Sequence, residues 1–257
     1  MLRGKLIYIF IFVSFFSFGQ QRGKMLLASI QQASGGGSTV PVVESFTQTI
    51  YTSGTNTMTA NKPTGVVSGD FLLVIQSNST ASDNAQYDDT SDPVGWTFGG
   101  EFGDTTSDVH SAYYYKTSDG TEGASFDFSL GALGATSPGY IVCIRISGVH
   151  TTPIGTVGTV SQGVGTSVVV PEITTANANS LALYTVTTDG SDMAPFSVSG
   201  TGWSEGDEID SSINGAGGAE GAWGTKDMPT AGLTGSPTVS WTVSDGYLGW
   251  LIEIRSE

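Results

Sequence analysis

Three carboxylates lie within four consecutive positions, Asp207-Glu208-Ile209-Asp210. If this stretch is a β-strand, alternate side chains share a face, so Glu208 and Asp210 face the same way. Two carboxylates about 5–5.5 Å apart on one face can act as nucleophile and acid/base in retaining glycoside hydrolysis. The next position on that face is Ser212, which supplies no carboxylate. A solvated strand end or loop explains the stretch better, and we predict no catalytic residue.

A second group of carboxylates lies in a loop-like stretch, at Asp83, Asp88, Asp89 and Asp92. Calcium takes about six to eight oxygen ligands, which loop carboxylates and carbonyls can supply. The spacing matches neither an EF-hand nor a repeat. Solvated loop charges are therefore the default interpretation, and a calcium ion bound by these four residues is the alternative.

His110 and His150 are the only histidines, and Cys143 is the only cysteine. Neither histidine has a neighbouring Cys or Glu at ligand spacing, which disfavours a transition-metal site. No Ser-His-Asp pattern supports nucleophilic hydrolysis. Cys143 lies in the apolar run 140–144, which predicts a buried, unreactive thiol.

Aromatic side chains offer a different chemistry, because sugar rings stack on flat aromatic faces. Trp96 and Trp203 each follow a glycine at matching places in the two halves of the chain. That symmetry favours a structural role, in which each ring closes the end of a core, over glycan binding. The candidate ligand-binding residues, all predicted in or beside turns, are Tyr87, Trp96, Phe102, Trp203 and Trp223.

Strands must position these residues, because the sequence has the rhythm of an all-β protein. Apolar runs alternate with turn residues about every eight to twelve positions, and no stretch after residue 33 has a helical period. Polar residues alternate with Phe126 and Phe128, as in a strand of an antiparallel sandwich. We predict strands at 45–52, 70–77, 111–117, 124–130, 140–147, 166–174, 180–187, 194–199, 237–243 and 247–255.

The two halves share a weak internal repeat. Each has an apolar strand, a Gly-Trp turn, an aromatic strand ending in Lys, an alternating strand and a final apolar strand. Trp96 and Lys116 mark the first half, and Trp203 and Lys226 mark the second. The repeat predicts two similar strand sets with their apolar faces buried against each other. They form either two sheets of one jelly-roll-like sandwich, which the absence of a linker favours, or two stacked small sandwiches.

The N-terminal residues 1–19 have the three parts of a secretory signal peptide. Basic residues precede an apolar run over 6–18, and small residues precede a cut before Gln20. The run is short for a transmembrane span, so we predict no stable membrane span in the mature chain.

The rest of the chain divides into a flexible segment and one domain. Residues 20–41 contain a Gly-rich linker, and residues 42–257 are predicted to form the β-sandwich. The alternative is that translation starts at Met25. Export would then need another route, such as assembly into a virus particle.

A resemblance to a known module rests on five short segments. They are Ser68-Gly69-Asp70-Phe71-Leu72-Leu73-Val74, Val94-Gly95-Trp96-Thr97, Ala112-Tyr113-Tyr114-Tyr115-Lys116, Tyr140-Ile141-Val142 and Ser147-Gly148-Val149. The succession resembles a loosely defined module of phage tail and fibre proteins and of secreted bacterial surface proteins, which is similar to concanavalin-like, jelly-roll sandwiches. The resemblance covers about residues 45–255. It implies an architecture and an extracellular or virion setting, and it carries no catalytic residues.

The acidic run at 207–210 resembles the acidic strand of laminarinase-type glycoside hydrolases, which also use a concanavalin-like sandwich. In that family a nucleophile Glu, an Asp and an acid/base Glu alternate along the strand. Here Ser212 stands where the acid/base Glu is expected. The resemblance therefore implies, at most, a degenerate hydrolase that uses Glu208 and Asp210.

Composition narrows the classes of partner. The net charge of −15 repels phosphate backbones, so no nucleic-acid partner is predicted. We expect a non-enzymatic extracellular or virion surface sandwich with a structural or attachment role. Its partner would be a cell-surface glycan or a structural protein, and calcium is the only cofactor considered. The alternatives are the degenerate glycoside hydrolase and a self-assembling filament or decoration subunit.

Overall fold

The computed structural model describes residues 39–51, 56–79, 92–103, 108–130, 138–190, 195–209 and 218–257. The predicted leader and linker lie outside these ranges, as do Tyr87, Asp83, Asp88 and Asp89. The described residues form sixteen β-strands and no helix. No helix long and apolar enough to cross a membrane is therefore found in this part of the chain.

The strands follow one another along the whole described chain. Their bounds are β1 (Val42–Tyr51), β2 (Thr57–Asn61), β3 (Phe71–Ser79), β4 (Thr97–Gly103), β5 (Val109–Thr117), β6 (Ser125–Ser129), β7 (Gly139–Ser147), β8 (Val149–Val157), β9 (Ser161–Val169), β10 (Thr174–Thr175), β11 (Ser180–Thr188), β12 (Ser197–Ser199), β13 (Ser204–Ile209), β14 (Glu220–Met228), β15 (Gly232–Leu233) and β16 (Thr238–Ser256).

Two antiparallel sheets carry the fold. The first sheet has the order β1-β7-β3-β5-β4. The second runs β12-β16-β11-β14-β13, and β16 also pairs with β8 and β9. The sheets pack face to face, so the prediction of an all-β antiparallel sandwich is confirmed.

The central strand of the first sheet is buried on both faces. Phe71, Leu73 and Ile75 of β3 pack into a core shared with the second sheet. Leu72 and Val74 point the other way, into a separate core beneath the small β2-β6 sheet. Because both faces are covered, β3 is a nearly continuous apolar run rather than an alternating one.

The second sheet is covered in the same way. Leu181 and Leu183 of β11 join the shared core, whereas Tyr184 packs into an outer core. Val168 of β9 and Val239 of β16 lie in that outer core. The molecule is thus built of four layers, with the two main sheets in the middle.

Strand order confirms that the two halves are similar. In the first sheet β3 lies between β7 and β5, and β4 is the edge; in the second, β11 lies between β16 and β14, and β13 is the edge. The glycines of both Gly-Trp turns have positive φ, 87° at Gly95 and 78° at Gly202. The halves therefore face each other as two sheets of one sandwich. Each also has its own outer layer, which the sequence pattern does not predict.

The last long strand corrects a boundary. The sequence predicted separate strands at 237–243 and 247–255, but both belong to β16. Its first part lies in the outer core through Val239 and Trp241, and its later part lies in the shared core through Trp250. The pairing with β9 shifts register between Ser240 and Asp245, where the strand passes from one layer to the other.

Some strand glycines are covered by an aromatic ring from the neighbouring strand. Tyr113 lies over Gly99 of edge strand β4, and Trp223 lies over Gly206 of edge strand β13. A Cβ at either glycine would enter the ring. Glycine in these strands therefore makes room for a large neighbouring ring.

Gly221 allows this close packing to be tested. A Cβ at Gly221 would lie 2.5 Å from the carbonyl oxygen of Val186 on β11, which is backbone and cannot move cheaply. Gly221→Ala is expected to lower the free energy of unfolding by about 1–3 kcal/mol, measured by urea denaturation. In the control Gly123→Ala, the nearest atom to the new Cβ is 3.7 Å away, and the change should stay below about 0.5 kcal/mol. Equal effects of the two substitutions would contradict the packing argument.

Candidate functional site

Two of the predicted aromatic residues lie inside strands, which corrects their placement in or beside turns. Trp223 is in the middle of β14, is 2% exposed, and meets Phe46 edge-on with ring centroids 5.2 Å apart. Phe102 is in β4, half-buried, with its ring 4.8 Å from that of Trp250. Glycines interrupt the apolar pattern of β4 and β14, so neither was among the strands predicted from apolar runs, although the repeat predicted an aromatic strand ending at Lys226.

Trp96 and Trp203 pack against the outer cores of their halves. The ring of Trp96 is 5.0 Å from Phe126 and 5.1 Å from Phe128, both edge-on. Trp203 is 9% exposed, 5.7 Å from the ring of Tyr184, and donates its Nε1–H to the Gly235 carbonyl at 3.3 Å. These contacts support the structural role that the Gly-Trp symmetry predicted. Glycan binding by Trp96, Trp203 and Trp223 stays a prediction, as does that of Tyr87, which lies outside the described residues.

A β-bulge changes the alternation of the acidic run. In β13, Glu205 is opposite Gly224, but Asp207 is already opposite Trp223, so Gly206 is an extra residue. The bulge therefore places Glu205 and Glu208 on one face of the strand and Asp207 on the other. Asp210 and Ser212 lie outside the described residues, so their predicted positions are not tested.

The shared face of Glu205 and Glu208 is next to Tyr184. Burial raises the pKa of Tyr184 well above its ordinary value, and the negative charges of Glu205 and Glu208 raise it further. The phenol is therefore neutral at physiological pH. Two carboxylates beside a neutral phenol form an arrangement that sequence alternation alone did not predict.

The predicted calcium ligands are mostly outside the described chain. Asp92 is half-buried just before the turn that leads to Trp96. Within the ranges that the structure describes, no three His, Cys, Asp or Glu residues are grouped around a possible metal position. The calcium site at Asp83, Asp88, Asp89 and Asp92 stays a prediction.

A chain of buried hydroxyl groups joins the two sheets at one end of the sandwich. Thr187 Oγ1 donates to Ser77 Oγ at 3.0 Å, and Ser77 Oγ donates to Ser111 Oγ at 3.0 Å. The Tyr140 hydroxyl lies 2.7 Å from Thr187 Oγ1, and Trp250 Nε1–H donates to Ser111 Oγ at 3.4 Å. We call these five residues the inter-sheet network. It fixes the relative position of β3, β5 and β7 against β11 and β16.

The end that holds this network, called here the polar end, also holds a pair of polar side chains between the sheets. Ser79, at the end of β3, donates its hydroxyl to Asp189, just after β11. Ser77 and Ser79 therefore meet Thr187 and Asp189 across the interface, in the same order along both strands. The strands β1, β3 and β4 of one sheet and β11 and β13 of the other all end here.

The polar end does not assemble a Ser-His-Asp triad from the described residues. Ser111 of β5 points into the interface between the sheets, where its hydroxyl accepts a hydrogen bond from Ser77. Its neighbour His110 therefore points to the opposite face, where its ring lies against Gly103. Ser79 and Asp189 are thus separated from His110 by the sheet itself, which leaves them without an imidazole partner in this part of the structure.

Sequence reasoning missed the polar end for an identifiable reason. Its serines and threonines continue apolar strands, at Ser77 after Ile75 and at Thr187 after Val186. Such residues are common in β-strands and carry no spacing signal. Their meeting depends on the face-to-face packing of the sheets, which the repeat predicted only in outline.

Asp189 makes the stability of the polar end depend on pH. Burial raises the pKa of Asp189 to about 6, and the charges of Asp245 and Asp108 add to the rise, whereas the Ser79 hydrogen bond opposes it. Between pH 4 and 6 the folded state retains a proton that the unfolded chain has lost. The contribution of Asp189 to the free energy of unfolding should therefore fall as pH rises through that range.

Replacing Asp189 tests this dependence. The amide introduced by Asp189→Asn does not titrate, so in this variant the free energy of unfolding should fall less, or rise more, between pH 4 and 6 than in wild type, measured by urea denaturation at several pH values. The control Asp227→Asn, on exposed surface of β14, should keep the wild-type slope. An Asp189→Asn slope equal to that of wild type would show that this carboxyl titrates normally.

Comparisons with known proteins do not assign the chain to a family. No protein-family model matches it, and neither the curated proteins nor the solved structures include a significantly similar chain.

Proposed function

We propose that the chain is a non-enzymatic surface module that acts in structure or attachment, in an extracellular or virion setting. The observation that carries the proposal is the polar end. Strand ends of both sheets meet there, and the inter-sheet network holds the sheets in fixed register beneath them. Rigid scaffolds that gather connecting segments at one end are the usual basis of binding surfaces. The likeness to concanavalin-like, jelly-roll modules of phage fibres and bacterial surface proteins is part of this proposal.

Phe102 is the predicted aromatic best placed for attachment. It lies in the edge strand β4, one residue before its end at the polar end, and its ring is half-buried against Trp250. A half-buried ring held by a second ring presents a fixed apolar face, which is what stacking against a sugar requires. The partner proposed is therefore a cell-surface glycan, with a structural protein as the other possible partner.

A glycan array tests attachment through Phe102. Phe102→Leu keeps an apolar side chain but removes the flat ring, and it should weaken binding about fivefold or more. The matched control is Phe98→Leu in the same strand, because Phe98 packs on Tyr114 at the opposite face. Thermal unfolding of both variants separates lost binding from lost folding.

Two results would overturn glycan attachment. One is an array on which the wild-type protein binds nothing, and the other is equal loss in both Phe variants. Ordered assemblies seen by electron microscopy in the first case would favour the self-assembling filament or decoration subunit instead.

A second candidate function is glycoside hydrolysis, and the bulge at Gly206 favours it. The bulge brings Glu205 and Glu208 to one face beside Tyr184, so a carboxylate pair exists without Asp210. Retaining hydrolysis needs such a pair about 5–5.5 Å apart. The attachment proposal remains the stronger one, because the sequence has Ser212 where the laminarinase-type strand has its acid/base Glu.

Turnover of laminarin decides between the two functions. The attachment proposal predicts that wild-type protein and Glu208→Gln release reducing sugar at the same background rate. Glu205→Gln serves as the second variant, because either carboxylate could be the essential one. Wild-type turnover that both substitutions abolish would overturn the non-enzymatic proposal.

A further inference from the structure

Positive charges are few in this acidic chain, and nearly all of those in the described residues have a partner. The described residues contain five Lys and Arg side chains. Four have partners: Lys62 with the Glu122 carbonyl, Lys116 with Glu122, Arg145 with Asp70, and Lys226 with the Thr234 carbonyl. Among the described residues, Arg255 alone has no ion pair or hydrogen bond to its guanidinium, and its Nε is buried without an acceptor.

Arg255 faces an open cavity of about 410 Å³. The cavity lies between the start of β8, the turn before β11 and the end of β16. Its polar walls come from His150, Asn177, Asn179 and Glu257 as well as Arg255. Because β11 starts here and ends at the polar end, the cavity is at the opposite end of the sandwich.

A buried carboxylate shapes the wall of this cavity. Glu253 is fully buried and accepts hydrogen bonds from Thr156 N at 3.0 Å, Asn177 N at 3.3 Å and Ser180 Oγ at 2.8 Å. Burial alone would raise the pKa of Glu253, but these hydrogen bonds outweigh it and hold the pKa below its ordinary value. Glu253 is thus charged, and its hydrogen bonds go to the turn before β11 and its surroundings. It forms no ion pair with Arg255, whose charge is therefore not neutralised by Glu253.

The repeat shows that this arrangement belongs to the second half alone. Leu72 of β3 and Ala182 of β11 hold the same place in the two halves. Arg145 of β7 is opposite Leu72, and Glu253 of β16 is opposite Ala182. Where the first half pairs Arg145 with Asp70, the second half has Glu253 holding a backbone turn. In the second half the positively charged residue is Arg255, two positions further along β16, where it lines the cavity.

His150 contributes a second donor. Its Nδ1 accepts the backbone N–H of Thr152 at 2.9 Å. In the neutral ring the proton is therefore on Nε2, which leaves that nitrogen as a donor. The guanidinium, an imidazole N–H and two amides form a set of donors suited to an anion that also carries hydroxyl groups.

We propose that this cavity binds a small hydroxylated carboxylate, namely a sugar acid of the uronate type. A carboxylate matches the planar fork of Arg255 in a bidentate pair, and the Asn177 and Asn179 amides can bond ring hydroxyls. The volume lies in the range of small-molecule sites. The exposed Glu257 in the lining repels any anion, so it weakens binding of a single carboxylate and disfavours a doubly charged ligand more strongly. The inference goes beyond the attachment role and stands without it.

Binding of D-glucuronate to the full chain tests the proposal, by calorimetry and by amide shifts in NMR spectra. Glucuronate should bind and shift the amides of His150 and Asn177. D-glucose, which lacks the carboxylate, and inorganic sulfate, which lacks the ring hydroxyls, should bind at least about tenfold more weakly. Equal binding of glucose would overturn the role of Arg255, and equal binding of sulfate would overturn the assignment to a sugar acid.

Substitutions locate the site. Arg255→Gln should weaken glucuronate binding about tenfold or more, and Arg255→Lys should restore only part of it, because Lys keeps the charge and loses the fork. Lys62→Gln removes the same charge elsewhere and should leave binding unchanged. Glu257→Gln should strengthen it. Absence of glucuronate binding by the folded wild-type chain, or equal loss in Arg255→Gln and Lys62→Gln, overturns the proposal.

Discussion

The central strands of both main sheets are buried on both faces, and the rest of the structure depends on this. An antiparallel sheet commonly leaves one face in water, and its strands then alternate between apolar and polar residues. Here the small β2-β6 sheet covers one outer face, and parts of β9 and β16 cover the other. The central strands β3 and β11 consequently place apolar side chains on both sides. Burial of that area is the main stabilising term for a chain with one cysteine.

Much of this architecture could be predicted because burial leaves a strong pattern. The predicted strands 70–77 and 180–187 differ from β3 and β11 by no more than two residues at either end. The edge strands β4 and β13 were not predicted, because their glycines make room for the rings of Tyr113 and Trp223 and so remove the apolar signal. Glycines within β4 and β14 likewise explain why Phe102 and Trp223 were assigned to turns. The two similar strand sets were predictable from the repeated order of landmark residues along the chain. The outer layers were not, because they depend on contacts between segments that are distant in sequence.

The candidate sites were harder to predict, because their residues carry ordinary local patterns. Ser77, Thr187 and Asp189 meet only when the two sheets face each other in register. The pairing of Glu205 with Glu208 depends on a bulge that periodicity cannot show. Cys143 is the simple case, since a thiol inside an apolar run is expected to be buried, and it is.

The position of β16 in the chain has a consequence for the order of folding. All strands of the first sheet precede residue 148, so this sheet can form while the rest of the chain is still being made. The second sheet cannot, because β8, β9, β11 and β12 all pair with β16, which is synthesised after them. Pairings over such sequence distances form slowly, and the apolar strand β11 stays open to aggregation meanwhile. Once the first sheet has formed, β11 can pack its apolar side chains against that sheet before β16 is available for pairing.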